Sequence, residues 1–285
     1  MTRDIPPDWP GRAASRMHRQ GATNWHLQRL GSGRRVLALH GAGGSTHSWA
    51  GVAALLADGY EVLSLDLPGQ GFSRSARRDR FGLATLGEDV AGLLDDLDFA
   101  PEVILGHSAG AVLGVHLASR LAQTPRAVVS LNGAFSPFAG LAGLLFPAMA
   151  RALHSAPFAA QALSRGIGSE RQVRAILEAT GSAVTDRMLR CYLTLVRRPD
   201  HVAGTLGMMA QWDLAELDLS RAGACAHLLI TGERDSTVPP ETSDRFARRA
   251  GAGTRLRLAG VGHLALEEDP AAVAAAIRDW LERDA

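Results

Sequence analysis

Short apolar runs rich in Val and Leu alternate along the chain with longer stretches of helical periodicity. The runs 34–39 (RRVLAL), 60–65 (YEVLSL), 102–105 (EVIL), 126–131 (RAVVSL), 226–231 (AHLLIT) and 254–259 (TRLRLA) read as mostly buried strands. Between them THSWAGVAALLA (46–57), TLGEDVAGLLDDL (85–97) and AGAVLGVHLASRLA (109–122) each carry an apolar face and predict helices. Strands that are apolar on both sides belong to sheets covered on both faces. The alternation therefore predicts an α/β fold with a mostly parallel, doubly wound sheet and right-handed crossovers. The rhythm stops between 134 and 213, where the pattern is helical and offers no convincing strand. The expected organisation is a core of residues 1–133 and 214–285, interrupted after the sixth strand by a helical cap of residues 134–213.

Composition narrows the partners. A hydrophobic content of 46% over 285 residues is enough for a sizeable core. Thirty basic against 29 acidic residues leave a formal charge of +1, which supplies no field to recruit nucleic acid or an anionic membrane. Cys191 and Cys225 have neither metal-ligand spacing nor a disulfide framework and are expected as buried free thiols. The opening stretch MTRDIPPDWPGRAASRMHRQ lacks the apolar segment of a secretory signal, so the expectation is a cytoplasmic protein. The uncharged run 128–150 is interrupted by Ser130, Asn132, Ser136, Pro137 and Pro147, which argues against a spanning helix. A lid over an apolar pocket, or peripheral contact with a membrane, stays open for that run.

The candidate chemistry centres on Gly106-His107-Ser108-Ala109-Gly110. This is G-x-S-x-G between a predicted strand and a predicted helix, the context in which a serine is presented on a tight, strained turn. Glycines on either side let neighbouring backbone approach closely enough for the serine to hold that conformation. A serine hydroxyl is a weak nucleophile at neutral pH and needs a base together with a group that orients the base. In the chain order Ser, acid, His, the candidates are Asp235, after the strand 226–231, and His263, after the strand 254–259. Glu233, two residues before Asp235, is the alternative acid. Among the other histidines, His107 is expected to point away from the nucleophile. His116 is expected to pack within the following helix, and His40 to support the loop that it begins.

That loop, HGAGG (40–44), leaves a strand and enters a helix, but neither G-K-[ST] nor G-x-G-x-x-G with a downstream acid accompanies it. It fits an oxyanion loop better than a nucleotide site. The backbone N–H groups of Ala42 and Ala109 are the candidate donors to a tetrahedral intermediate. No histidine pair has the spacing of a catalytic metal site, so no metal or other cofactor is expected. The serine itself excludes an aspartate nucleophile at this position.

Taken together, HGAGG, DLPGQGFS (66–73), GHSAG, GERD and GVGH resemble the α/β-hydrolase fold superfamily over the whole chain outside the expected cap. DWPGRAASR (8–16), VSLNGAFSPFAGLAGLLFP (129–147) and RRPDHVAGTLGMMAQWDL (197–214) further resemble the magnesium-chelatase-associated hydrolases of bacteriochlorophyll biosynthesis. That resemblance implies a place in tetrapyrrole metabolism near magnesium insertion and an association with magnesium chelatase. It supplies no reaction.

In the expected cap, Phe135, Phe138, Phe146, Met208, Met209 and Trp212 offer flexible and aromatic surface suited to a hydrophobic ligand such as a tetrapyrrole. Packing of the cap against the sheet is the competing use of the same side chains. Arg197, Arg198 and His201 are candidates to meet carboxylates or a metal, with plain solvation the alternative for the arginines. Three functions follow. The first is a serine hydrolase acting on an ester or related acyl bond of a hydrophobic substrate. The second is a porphyrin-binding accessory protein of magnesium chelatase. The third uses the same triad for carbon–carbon bond hydrolysis or perhydrolysis.

Overall fold

The computed structural model describes residues 4–136, 152–156, 158–220, 222–251 and 253–283. Among the described residues nine strands form one sheet: β1 (Ser15–Gln20), β2 (Thr23–Gly31), β3 (Arg34–Leu39), β4 (Tyr60–Leu65), β5 (Arg74–Ser75), β6 (Val103–His107), β7 (Ala127–Leu131), β8 (Ala226–Gly232) and β9 (Thr254–Leu258). Their spatial order is β1-β2-β4-β3-β6-β7-β8-β9, with the short β5 paired to β2. From β4 to β9 along that order all pairings are parallel; β1, β2 and β5 pair antiparallel.

The hairpin β1–β2 is the part of the sheet that periodicity does not reveal. Residues 25–28 of β2 are all buried, and two of the four are His26 and Gln28. Buried polar positions look solvated to a pattern of apolar runs, and here they are hydrogen-bonded in place: Gln28 Nε2 donates to the Pro10 carbonyl at 2.8 Å.

Helices cover both faces. On one lie α2 (Leu83–Asp96) and α3 (Ala109–Ala118), packed with Leu37, Leu39, Ile104 and Val128. On the other, α1 (Thr46–Leu56) and, at the end of the chain, α10 (Pro270–Arg283) cover Val36, Val62, Val103 and Val129. Successive residues of β3 and β6 thus feed opposite cores, as the two-residue side-chain period requires. At the far edge, β9 alternates Arg255 and Arg257 with its apolar residues, a charged edge that discourages further strand pairing.

Between β7 and β8 the described residues contain no strand; their main helices are α4 (Ala159–Gly166), α5 (Glu170–Glu178), α6 (Asp186–Val196) and α7 (Pro199–Gln211). Local chemistry marks their starts. Ser169 and Thr185 cap the backbone N–H groups of Gln172 and Met188, and Pro199 opens α7. The insertion follows β7, the sixth strand longer than two residues. Two short helices complete the order, α8 (Glu241–Ala250) and α9 (Ala265–Glu268). No helix among the described residues is long and apolar enough to cross a membrane.

Parallel pairing aligns the carboxyl ends of the central strands. Leu39 of β3 lies opposite Gly106 of β6, and His107 opposite Leu131 of β7. The chain leaves β3 toward one side of the sheet and later returns to place β6 on the other side, so the loops after β3 and β6 flank a topological switch point, where open α/β sheets form their ligand crevice.

Candidate active site

Ser108 follows β6 directly and has φ 53° and ψ −116°, a conformation that L-residues rarely adopt. Holding it costs roughly 1–3 kcal/mol, and backbone contacts supply the restraint. Its N–H donates to the Leu131 carbonyl at 3.0 Å, and its own carbonyl accepts from Ala111 and Ala134 at 3.1 Å each. The glycines on either side are steric necessities. A Cβ on Gly106 would collide with the Ala111 backbone, and one on Gly110 with the carbonyls of Leu39 and His40. Ser108 remains partly exposed, while both its chain neighbours are buried.

Asp235 and His263 come from the loops after β8 and β9. The Asp235 carboxylate is fully buried and divides its two oxygens: Oδ1 accepts the N–H groups of Thr237 and Val238, both at 2.8 Å, and Oδ2 accepts His263 Nδ1 at 2.8 Å. An acceptor-only partner at Nδ1 places the ring proton there and leaves Nε2 with its lone pair, the tautomer a general base requires. Glu233 is exposed and its Oε2 accepts the Gly260 N–H at 3.0 Å, on the other side of that turn.

The His263 backbone is gripped from two directions. Its carbonyl accepts from His107 Nε2 and from Asn132 Nδ2, each at 2.8 Å, while Asn132 Oδ1 accepts the Gly232 N–H at 2.7 Å. Burial, followed by the nearby His263, pushes the His107 pKa far down, so its ring is neutral and its Nε2–H is the donor. His107 thus spends its ring donor on the His263 backbone and braces His263, with ring centroids 4.8 Å apart. From the helical segment, the Thr180 carbonyl accepts the N–H groups of both Ser236 and His263 at 3.3 Å, and Ser182 Oγ accepts that of Leu264 at 2.9 Å. Ser108 and His263 are not hydrogen-bonded to each other, a looseness common to nucleophile–base pairs without substrate.

Opposite Ser108 lies the Gly41–Gly44 loop. Among the described residues neither the Ala42 N–H nor the Ala109 N–H donates to a protein group. His40 supports the loop from below: Nδ1 lies 2.7 Å from the Gly41 carbonyl and Nε2 accepts the Leu67 N–H at 2.9 Å.

Of the proposed ligand-contacting side chains, Phe135 is buried and stacked on Phe246 at 3.9 Å between centroids, and Met208 is buried in the main core. Met209 and Trp212 are half-buried, Trp212 against that same core. Phe138 and Phe146 lie outside the described residues. Arg197 donates to the Gly168 carbonyl and the Arg198 guanidinium lies 4.7 Å over the Phe72 ring. His201 is buried and accepts the Gly71 N–H at 2.9 Å. These three serve the protein's own packing. Cys191 and Cys225 are buried free thiols, and no cluster of metal-ligating side chains occurs among the described residues.

Asn132, His107 and Thr180 have no signature in the sequence, because each acts by reaching a backbone group far along the chain. Asp66 does have one, in DLPGQGFS. It is a buried hub whose Oδ1 accepts the Thr46 N–H at 2.6 Å and whose Oδ2 accepts the Phe72 N–H and His26 Nδ1, both at 2.7 Å. Burial alone would raise its pKa, but the charge and hydrogen bond of His26 prevail and lower it to about 2.

A sequence profile described as "Alpha/beta hydrolase family" matches residues 36–276, which takes in the parallel strands from Val36 of β3 onward and all three of Ser108, Asp235 and His263. The chain belongs to the α/β hydrolase family. A relative of this α/β hydrolase, the "Magnesium-chelatase 30 kDa subunit" of Rhodobacter capsulatus, is 38% identical over 98% of this chain and 99% of its own. "Uncharacterized hydrolase YugF" of Bacillus subtilis is 27% identical over 90% of this chain and 93% of its own. Among solved structures, an alpha/beta hydrolase fold protein from Burkholderia ambifaria superposes with a TM-score of 0.76 at 22% identity, covering 93% of this chain and 97% of that one.

Proposed function

We propose that this α/β hydrolase is a serine hydrolase acting on an ester or related acyl bond of a hydrophobic substrate. The observation that carries the reading is the buried Asp235–His263 hydrogen bond, with His263 braced by the immediate neighbour of a serine in a strained strand-to-helix turn. In this reading Ser108 Oγ attacks the acyl carbon as its proton passes to His263 Nε2. The acyl oxygen gains the negative charge and is met by the N–H groups of Ala42 and Ala109. Collapse of the tetrahedral intermediate breaks the bond to the leaving group, which takes the proton from His263. Water, deprotonated by the same ring, then releases the acid and frees Ser108. Asp235 holds the ring in its tautomer. Residues 134–213 act as a cap whose surface selects the substrate.

The likeness to a protein named as a magnesium-chelatase subunit supports a tetrapyrrole ester as substrate, a place in bacteriochlorophyll biosynthesis near magnesium insertion, and association with the chelatase. Two reduced, buried cysteines fit a cytoplasmic setting. The word subunit also supports a second reading, in which the capped site binds a porphyrin and delivers it to the chelatase.

Labelling with a fluorophosphonate probe separates the two. A hydrolase is modified at Ser108, as mapped by mass spectrometry, and Ser108→Ala loses the label while keeping ligand affinity. A carrier takes up no label yet binds porphyrin in a fluorescence titration with equal affinity in both forms.

A further inference from the structure

The N–H of Gly43, next to Ala42, donates to Gln70 Oε1 at 2.8 Å. Gln70 is fully buried and comes from the turn after β4, and its Nε2 donates in the other direction, to Met208 Sδ on α7 at 3.1 Å. One amide therefore bridges the candidate oxyanion loop to a helix of the insertion. A second connection runs alongside it. His201, about two turns nearer the start of α7, accepts the Gly71 N–H at 2.9 Å. Burial lowers the His201 pKa to about 3, so the ring stays neutral and keeps its acceptor at any ordinary pH. At Gly204 and Gly69 helix and turn meet backbone to backbone. A Cβ on Gly204 would collide with the Gly69 carbonyl, and Thr205 lies directly over Gly43.

Resting on the hydrolase reading above, we propose that Gln70 is a positioning residue for the oxyanion loop and that α7, through Met208 and His201, sets the position of Gln70. The Ala42 N–H is then correctly aimed only while α7 is seated on the turn around Gly69. Whatever displaces α7, a badly fitting substrate included, loosens the oxyanion donor without touching Ser108 or His263. The insertion thereby takes part in the chemistry as well as covering it. A loop of four small residues has no side chains of its own with which to fix a backbone donor, which is why the restraint must come from elsewhere.

The test uses the full-length protein and the same fluorophosphonate, with inactivation resolved into its limiting rate and half-saturating concentration. Gln70→Leu keeps the volume and removes both hydrogen bonds. The expected result is a limiting rate lower by about tenfold or more, with half-saturation changed by less than about threefold. Amide hydrogen exchange across residues 40–46 should quicken while that across 103–118 does not. Met208→Leu, which removes only the sulfur acceptor, should show the same pattern at smaller size and serves if Gln70→Leu does not fold. A limiting rate within twofold of wild type, with unchanged exchange at 40–46, overturns the proposal. If the unaltered protein is not labelled, it is the serine-nucleophile reading that fails, and the exchange measurement still decides whether Gln70 and α7 hold the loop.

Discussion

Among the described residues are two buried His–Asp pairs of nearly equal length, His26–Asp66 at 2.7 Å and His263–Asp235 at 2.8 Å, both through Nδ1. The difference lies at the other ring nitrogen. His26 Nε2 is closed off by Ser15 Oγ at 3.0 Å, and its ring is wholly buried between β1 and the Asp66 turn. His263 Nε2 makes no hydrogen bond among the described residues, and its ring keeps a small exposed area. One pair ties loops together and the other is left with a lone pair to use. A hydrogen-bonded Asp–His pair is thus no sign of catalysis by itself; what counts is whether the far nitrogen is spent.

Substitutions on the two pairs should divide along that line. Asp235→Asn is expected to lower the fluorophosphonate labelling rate by about a thousandfold or more, because the amide favours the wrong tautomer of His263. Its thermal melting should stay close to wild type, and a collapse of the fold instead would erase the distinction between the pairs. Asp66→Ala is expected to do the reverse and cost about 3–5 kcal/mol in urea unfolding, since it strands His26 and the N–H groups of Thr46 and Phe72. The cost should depend on pH. With its folded pKa lowered to about 2, Asp66 contributes stability that is present above the ordinary aspartate range near 4 and is lost as pH falls toward 2. The gap between wild type and Asp66→Asn should close over that window.

A third buried acid sharpens the comparison. Glu267 accepts from Tyr192 Oη at 2.9 Å, but its nearest histidine nitrogen, His47 Nε2, is 3.6 Å away. Burial also lowers the His47 pKa to about 3, so that ring brings no charge. Burial therefore dominates and lifts Glu267 to about 7, only partly opposed by hydrogen bonds from Tyr192 and Ser48. With the folded pKa raised, the protonated acid stabilises the fold below the ordinary glutamate range, and that contribution disappears as pH rises through 7. Glu267→Gln should be nearly neutral in urea unfolding at pH 5 and more stable than wild type by about 1–2 kcal/mol at pH 8.

The parallel strands were legible because burial on both faces writes itself into the sequence as unbroken apolar runs, and β3 and β4 fall on the runs 34–39 and 60–65. The hairpin β1–β2 was not, since His26 and Gln28 are buried polar residues and break the run. The serine turn could be read because the glycines that its close backbone contacts require are local, both within two residues of Ser108. The bracing of His263 could not, because it comes from His107, Asn132 and Thr180, none of them its neighbour in the chain.

By itself the sequence determined the layering of sheet and helices, the strained serine turn, and the placement of Ser108, Asp235 and His263 after the carboxyl ends of three strands, β6, β8 and β9. These follow from side-chain periodicity and glycine sterics, which act over a few residues. Tertiary structure decided that Asp235 and not Glu233 meets His263, that His26–Asp66 is closed while His263–Asp235 is open, and that Gln70 reaches both Gly43 and Met208. Each of those depends on a contact of about 3 Å between groups as far as 138 positions apart. Periodicity says which face a residue takes, and only the packed chain says which partner it finds there.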